Sequence, residues 1–193
     1  RFFYEDGERR DVGWTFEAKE ARDGGRYEFA LDRTRDGQST DETEGVATAA
    51  ATGGEARFSA PSPAVYDLPA EVLFPTAHTR GMIAAAEADE RFYFSPVFVG
   101  DDEGGATALN VVVGADASAD KPIEDPMIDG KAWSMRLAFF DMEAEGDAPP
   151  EHEQRIVMQR DGVVRDMLLD YGTFAINAVL TRIEPNPQPS DCG

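Results

Sequence analysis

Positive charge is scarce in this sequence. It contains 18 lysine and arginine residues against 38 aspartate and glutamate residues, which gives a net charge of −20 at neutral pH. A surface this acidic repels the phosphates of nucleic acids and the headgroups of anionic lipids. The composition therefore argues against binding of DNA or RNA and against electrostatic attachment to membranes.

Long apolar runs are missing as well. The longest candidate, around 109–113, has the length of a strand, whereas a transmembrane helix needs roughly 18 apolar residues or more. We therefore expect no transmembrane segment. The 193 residues, of which 41% are hydrophobic, fit one domain over 1–193 with a real core. The proline-rich residues 185–193 are predicted to form an extended tail.

Cysteine occurs once, at Cys192. Nothing near it in the sequence would lower the thiol pKa, which argues against a catalytic role. Two interpretations remain open: a free thiol, or half of a disulfide whose partner is absent from this chain. The chain begins with Arg1 in a stretch that has the pattern of a strand interior. We therefore expect that an N-terminal segment is lacking and that no signal peptide is visible for this reason.

Catalytic and metal-binding motifs are also missing. The two histidines are His78 and His152, and no serine lies in a nucleophile motif. No zinc motif, EF-hand ligand order or glycine-rich phosphate loop occurs. We predict that the protein is not an enzyme and has no cofactor, metal site or catalytic residue. A hydrolase using His78 is the alternative, and it requires a serine or carboxylate beside His78 in a shared cleft.

What the sequence does contain is a series of alternating segments between turns. Val12, Trp14 and Phe16 alternate with more polar neighbours, and residues 133–139 repeat this pattern. Asp-Gly dipeptides, typical of tight hairpins, stand between several such segments. One apolar and one polar face per strand is typical of an antiparallel sheet. The aromatic segment 91–99 is predicted to be covered on both faces.

One alanine-rich segment breaks the alternation. Met82 and Ala86 recur there at helical spacing. This pattern predicts one amphipathic helix near 77–89, with Thr76 or Thr79 as the cap of its first turn. The predicted fold class is therefore mainly β: a single long, curved antiparallel sheet with this helix packed on it.

Aromatic side chains recur on the predicted apolar face of the sheet. Packing in an ordinary core is one interpretation of them. The other is that a curled sheet leaves part of this face open, as an apolar cavity for acyl chains or a lipidated partner. On the second interpretation the candidate ligand-binding residues are Trp14, Phe16, Phe29, Trp133 and Phe139.

Several motifs together resemble a known family. Residues 68–79 read LPAEVLFPTAHT, residues 161–174 read DGVVRDMLLDYGTF, and LTRIE at 180–184 precedes the proline-rich tail. These segments resemble motifs of the alphaproteobacterial cell-envelope integrity EipB family, once classed as a domain of unknown function. The likeness covers nearly the whole chain. The motif residues in this sequence are Phe74, Pro75, Thr76, His78, Thr79, Asp170, Tyr171 and Gly172.

The resemblance implies a periplasmic protein built as a β-spiral, a half-barrel similar to the LolA and LolB lipoprotein carriers. It also implies a disulfide between Cys192 and a cysteine in the N-terminal quarter of the family's proteins. That cysteine would precede residue 1 of this sequence. The predicted function is a non-enzymatic periplasmic protein that supports envelope integrity. It would bind a lipid, a lipoprotein or another envelope protein on the concave apolar face. A structural scaffold with no small ligand is the alternative.

Overall fold

The structure, a computed structural model, describes residues 2–5, 8–100, 107–116, 131–142, 148–170 and 175–183. Within these ranges the chain forms twelve strands and one helix. In chain order they are β1 (Phe2–Glu5), β2 (Glu8–Glu20), β3 (Arg26–Arg35), β4 (Gln38–Ala50), β5 (Gly53–Ala60), β6 (Ala64–Leu68), α1 (Pro75–Glu87), β7 (Phe92–Val97), β8 (Thr107–Asp116), β9 (Ala132–Asp141), β10 (His152–Gln159), β11 (Val164–Asp170) and β12 (Ala175–Val179).

The strands form two antiparallel sheets of six strands each. In both sheets, strands that follow one another in the chain are neighbours: β1 to β6 make the first sheet and β7 to β12 the second. The prediction of a mainly β, antiparallel fold with one helix is confirmed, but the strands that were predicted to form a single long sheet lie in two. The segment that contains α1 separates β6 from β7, and the strands are divided between two sheets at this point.

The first sheet buries one of its faces. Tyr27, Phe29 and Leu31 of β3 are buried at every second position, as a period of two requires for one side of a strand. The register pairs Phe29 with Gly45 of β4, and Gly45 with Phe58 of β5. The buried side chains therefore form rows across the sheet.

Rings from two loops close this apolar face. Phe74 stacks on Tyr27 with ring centroids 5.2 Å apart, and Phe98 lies edge-on to Phe29 at 5.6 Å. Phe74 and Phe98 are fully buried. Burying one such side chain contributes about 1.5–3 kcal/mol, and the edge-on geometry adds to it. The interior beside Phe29 is therefore filled by the protein's own rings.

Helix α1 begins at Pro75, two residues before the predicted start. Proline is favoured at this position because its missing N–H would have no helical partner. The carboxylate of Glu20 accepts hydrogen bonds from the N–H of Thr76 at 2.8 Å and of Ala77 at 3.1 Å. A carboxylate at this end also interacts favourably with the helix dipole. Glu20 thus supplies the cap that the sequence assigned to Thr76 or Thr79.

The chain divides into two compact units. The first comprises Arg1–Arg80, Phe94–Leu109 and Asp141–Gly146, and the second comprises Gly81–Tyr93, Asn110–Phe140 and Asp147–Gly193. One domain over 1–193 stays a prediction, and the predicted tail lies outside the described residues. In the described part of the chain, α1 lacks the length and apolar character to cross a membrane. Buried apolar side chains of the second unit are Met82, Ala85, Ala86, Val111, Ala132, Met135, Leu137, Ile156 and Met158.

Strand β7 is more exposed than its sequence predicts. The prediction that residues 91–99 are covered on both faces is wrong: Phe92 is 73% exposed and Phe94 is 61% exposed. Ser95 and Val97, at the alternating positions, are buried. Aromatic content raises strand propensity on either face, and it therefore does not indicate how many faces are covered.

Candidate functional site

The predicted ligand-binding aromatics of the first unit differ in their surroundings. Phe29 is buried among the rings that close the apolar face, whereas Phe16 is 43% exposed. The register pairs Phe16 with Leu31, two residues from Phe29, so both rings belong to the same face of the sheet. Trp14 lies in β2, two residues before Phe16, but its side chain is outside the described part of the structure. The structure therefore leaves Phe16 accessible and Phe29 enclosed.

Trp133 and Phe139 lie on the same face of β9 and are both half-buried. Trp133 lines a cavity of about 260 Å³ together with Glu87, Lys131 and Arg160, and Arg160 forms an ion pair with Glu87 at 2.5 Å. The ring of Phe139 stacks on His152 with centroids 4.1 Å apart. Ligand binding by either aromatic stays a prediction.

A larger groove, of about 610 Å³, lies along β2 to β5 in the first sheet. The positions that alternate with the buried row contribute Ala30 and Val46. Its volume is within the range of small-molecule sites, but such sites are usually apolar. This one has charged groups at its sides: Glu17, Lys19, Glu28, Glu44 and Arg57. Phe29 and Phe58 of the aromatic row also line this groove, and ligand binding there stays a prediction.

His78 forms a buried polar pair with Ser95. Its Nδ1 lies 2.9 Å from Ser95 Oγ, and each residue is only 5% exposed. Burial lowers the pKa of His78 to about 4, so the ring is neutral at pH 7. A neutral imidazole beside a hydroxyl is the arrangement of a base and its nucleophile. Neither residue lines the two cavities described above, so neither of those cavities is the shared cleft that a hydrolase requires.

The remaining motif residues have structural positions. Thr79 Oγ donates a hydrogen bond to the carbonyl of Pro75 at 2.8 Å, and Asp170 is exposed at the end of β11. Tyr171, Gly172 and Cys192 lie outside the described residues. Across the described ranges, no group of three or more His, Cys, Asp or Glu side chains is arranged to hold a metal ion.

Sequence reasoning missed Glu20 and Ser95. Glu20 ends a strand and caps a helix far along the chain, which only the folded arrangement reveals. Ser95 had a local signal. It occupies an inward position of β7 between Tyr93 and Val97, and a polar residue at such a position needs a hydrogen-bond partner.

The fold and the site together define a class: meandering antiparallel β proteins whose interior is filled by aromatic rings and whose grooves lie on the sheet surface. The EipB-like family model matches residues 1–187, and the chain belongs to this family.

A protein sequence and a solved structure, both from Brucella abortus, are similar to this chain. The cell envelope integrity protein EipB of strain 2308 is 30% identical over 117 residues, which cover 58% of this chain and 41% of that protein. The match thus spans less than half the length of that relative. The crystal structure of a β-barrel-like protein of a domain of unknown function matches with a TM-score of 0.81 at 24% identity, covering 92% of this chain and 75% of that one. At this identity the likeness shows the fold alone.

Proposed function

We propose that this protein acts in the periplasm, without catalytic activity, and supports cell-envelope integrity by holding a partner at the surface of its sheets. Membership of the EipB-like family and the name of the Brucella abortus relative support the envelope role. The observation that carries surface binding is the closure of the apolar face by Phe74 and Phe98. The ring of Phe98 occupies the place against Phe29 that an acyl chain would otherwise take.

Lipid or lipoprotein binding on the apolar face is a second candidate, and the exposed ring of Phe16 favours it. This ring extends the buried face of the first sheet to a position where solvent has access. An exposed aromatic that continues an apolar face is a suitable place for an acyl chain to bind. In the second unit, Trp133 beside its cavity is the corresponding candidate contact.

Lipid extraction separates the two candidates. The product of the complete gene is exported in bacteria, purified without detergent, and examined by native mass spectrometry and lipid extraction. We expect no stoichiometric lipid in the wild type or in Phe16→Ser. A bound lipid that Phe16→Ser loses and the matched control Phe92→Ser retains would overturn surface binding in favour of lipid carriage.

The envelope role has its own test in a strain whose gene of this family is deleted. We expect the complete gene to restore resistance to detergent and its product to fractionate with the periplasm. Cytoplasmic fractionation, or normal export with no gain in resistance, would contradict the proposal.

Ser95→Ala in the same strain tests the hydrolase alternative. A nucleophile is indispensable to a hydrolase, whereas loss of one buried hydrogen bond costs only about 1–3 kcal/mol of stability. We expect Ser95→Ala to melt a few degrees lower and still restore resistance. We also expect no labelling of the wild type by a serine-reactive fluorophosphonate. Labelling that Ser95→Ala abolishes would indicate an enzyme.

A further inference from the structure

Exposed apolar side chains lie side by side on the outer face of the second sheet. Phe92 of β7 is 73% exposed and Val112 of β8 is 42% exposed. The N–H of Val113 donates to the carbonyl of Arg91 at 3.0 Å, which in an antiparallel pair makes Phe92 and Val112 direct neighbours. Large apolar side chains exposed together differ from single exposed ones, which are common on any protein.

Two arginines continue this row across the sheet. Arg136 of β9 and Arg155 of β10 are exposed and directly opposite each other in the register. A Cβ on Gly114 of β8 would lie 2.8 Å from the carbonyl oxygen of Ser134, which makes Gly114 and Ser134 neighbours across β8 and β9. In an antiparallel pair, Val112, two residues before Gly114, is then next to Arg136, two residues after Ser134. We call these four residues, Phe92, Val112, Arg136 and Arg155, the transverse row.

The charges of Arg136 and Arg155 are not neutralised by direct pairing within the described part of the chain. Neither guanidinium forms an ion pair or a hydrogen bond with another described residue. The carboxylates of Glu153 and Asp166 stand at neighbouring positions on this face but pair with neither arginine. Like charges directly opposite in a sheet are destabilising. A bound anionic group would relieve the repulsion between the two guanidinium groups.

The composition of the transverse row indicates what it binds. Phenylalanine and arginine are enriched in protein interfaces, where lysine and glutamate are depleted, and arginine is among the residues that contribute most of the binding energy. A guanidinium also binds a carboxylate through two parallel hydrogen bonds. From Phe92 to Arg155 the row crosses three strand spacings, about 14 Å, which equals the length of four or five extended residues.

We propose that the transverse row is a docking surface for a short acidic segment of another protein. The carboxylates of that segment bind Arg136 and Arg155, and one of its apolar side chains covers Phe92 and Val112. The net charge of −20 disfavours an anionic bilayer and a second copy of this chain, because each presents a large negative surface. This inference rests on the proposed function, since it names the surface and the partner chemistry of a binding protein.

A defined peptide tests the proposal on the full chain. The probe is a fluorescein-labelled octapeptide of alternating glutamate and leucine, and binding is followed by fluorescence anisotropy. We expect Arg136→Glu/Arg155→Glu to abolish binding and Phe92→Ser to weaken it about tenfold, the usual loss at an interface anchor. Arg80→Glu, on an exposed arginine of α1, is the matched control and should bind like the wild type. A peptide with glutamine in place of glutamate should not bind.

Other outcomes would overturn the proposal. They are an absence of peptide binding, binding that survives the double charge reversal, vesicle binding that the reversal abolishes, or a dimer that Phe92→Ser dissociates in analytical ultracentrifugation. The deletion strain separates this failure from failure of the proposed function. If the wild type and the double reversal both restore detergent resistance, the transverse row is wrong and the envelope role stands. If the wild type does not restore it, the envelope role itself fails.

Discussion

Replacing Glu20 by alanine removes the carboxylate that caps helix α1. Its two oxygens accept hydrogen bonds from the N–H of Thr76 at 2.8 Å and of Ala77 at 3.1 Å. Loss of a side-chain cap costs about 1 kcal/mol, and the second charge-assisted bond with its dipole interaction adds about 0.5–1 kcal/mol. We expect Glu20→Ala to lower the free energy of unfolding by about 1.5–2 kcal/mol, which corresponds to a Tm lower by roughly 5 °C.

Glu17 provides the matched control. It is an exposed residue of the same strand, forms no hydrogen bond with another described residue, and carries the same charge. Urea unfolding of Glu17→Ala and Glu20→Ala, followed by circular dichroism, therefore separates the cap from the effect of removing one negative charge. Glu20→Gln keeps one acceptor oxygen and should fall between the wild type and Glu20→Ala. Equal losses of stability in the two alanine variants would refute the capping role.

Three further predictions concern packing and protonation. Gly100→Ala places a methyl group 2.6 Å from Cγ of Phe29 at a residue with φ +81°, and we expect it to lower the free energy of unfolding in urea by about 2–4 kcal/mol. The control Gly37→Ala, at φ +78° with no atom nearby, should lower it by about 1 kcal/mol. Equal losses of stability in the two variants would contradict the contact with the ring of Phe29. Phe74→Ala should lower the free energy of unfolding by about 3–5 kcal/mol, whereas Phe92→Ala, at an exposed position, should lower it by less than about 0.5 kcal/mol. Similar losses in the two variants would show that Phe74 does not close the core. Burial lowers the pKa of His78 from 6.5 to about 4. Between pH 4 and pH 6.5 the ring is therefore protonated in the unfolded chain and neutral in the folded protein, so the free energy of unfolding rises with pH over this range. His78→Asn should reduce the stability difference between pH 4 and pH 7 by up to about 3 kcal/mol, and an unchanged pH profile would contradict this.

The strands could be predicted from the sequence because their signals are local. Alternation of apolar and polar residues and Asp-Gly turns depend only on neighbouring residues. β6 is not evident from the sequence, because Pro61 and Pro63 directly before it are typical of a strand end, whereas a short edge strand follows them. The division into two sheets also escaped, since strand pairing across the α1 segment is decided by contacts between distant residues.

The candidate site was less predictable for the same reason. Phe16 and Phe29 alternate with their neighbours in the same way, yet one is exposed and the other is enclosed. The difference arises because Phe74 and Phe98 come from distant segments and cover only part of the face. No local pattern distinguishes a covered position from an open one on the same side of a sheet.

The ring of Phe29 lies between two glycines from different parts of the chain. A Cβ on Gly45 would lie 2.5 Å from its Cζ, and a Cβ on Gly100 would lie 2.6 Å from its Cγ. The Gly45 side forms within the β3–β4 hairpin, whereas the Gly100 side requires closure of a much longer loop, which is entropically slower. We therefore expect the aromatic face of the first sheet to form before Phe98 and Gly100 cover it. In that interval the exposed aromatic rings make the nascent protein prone to aggregate.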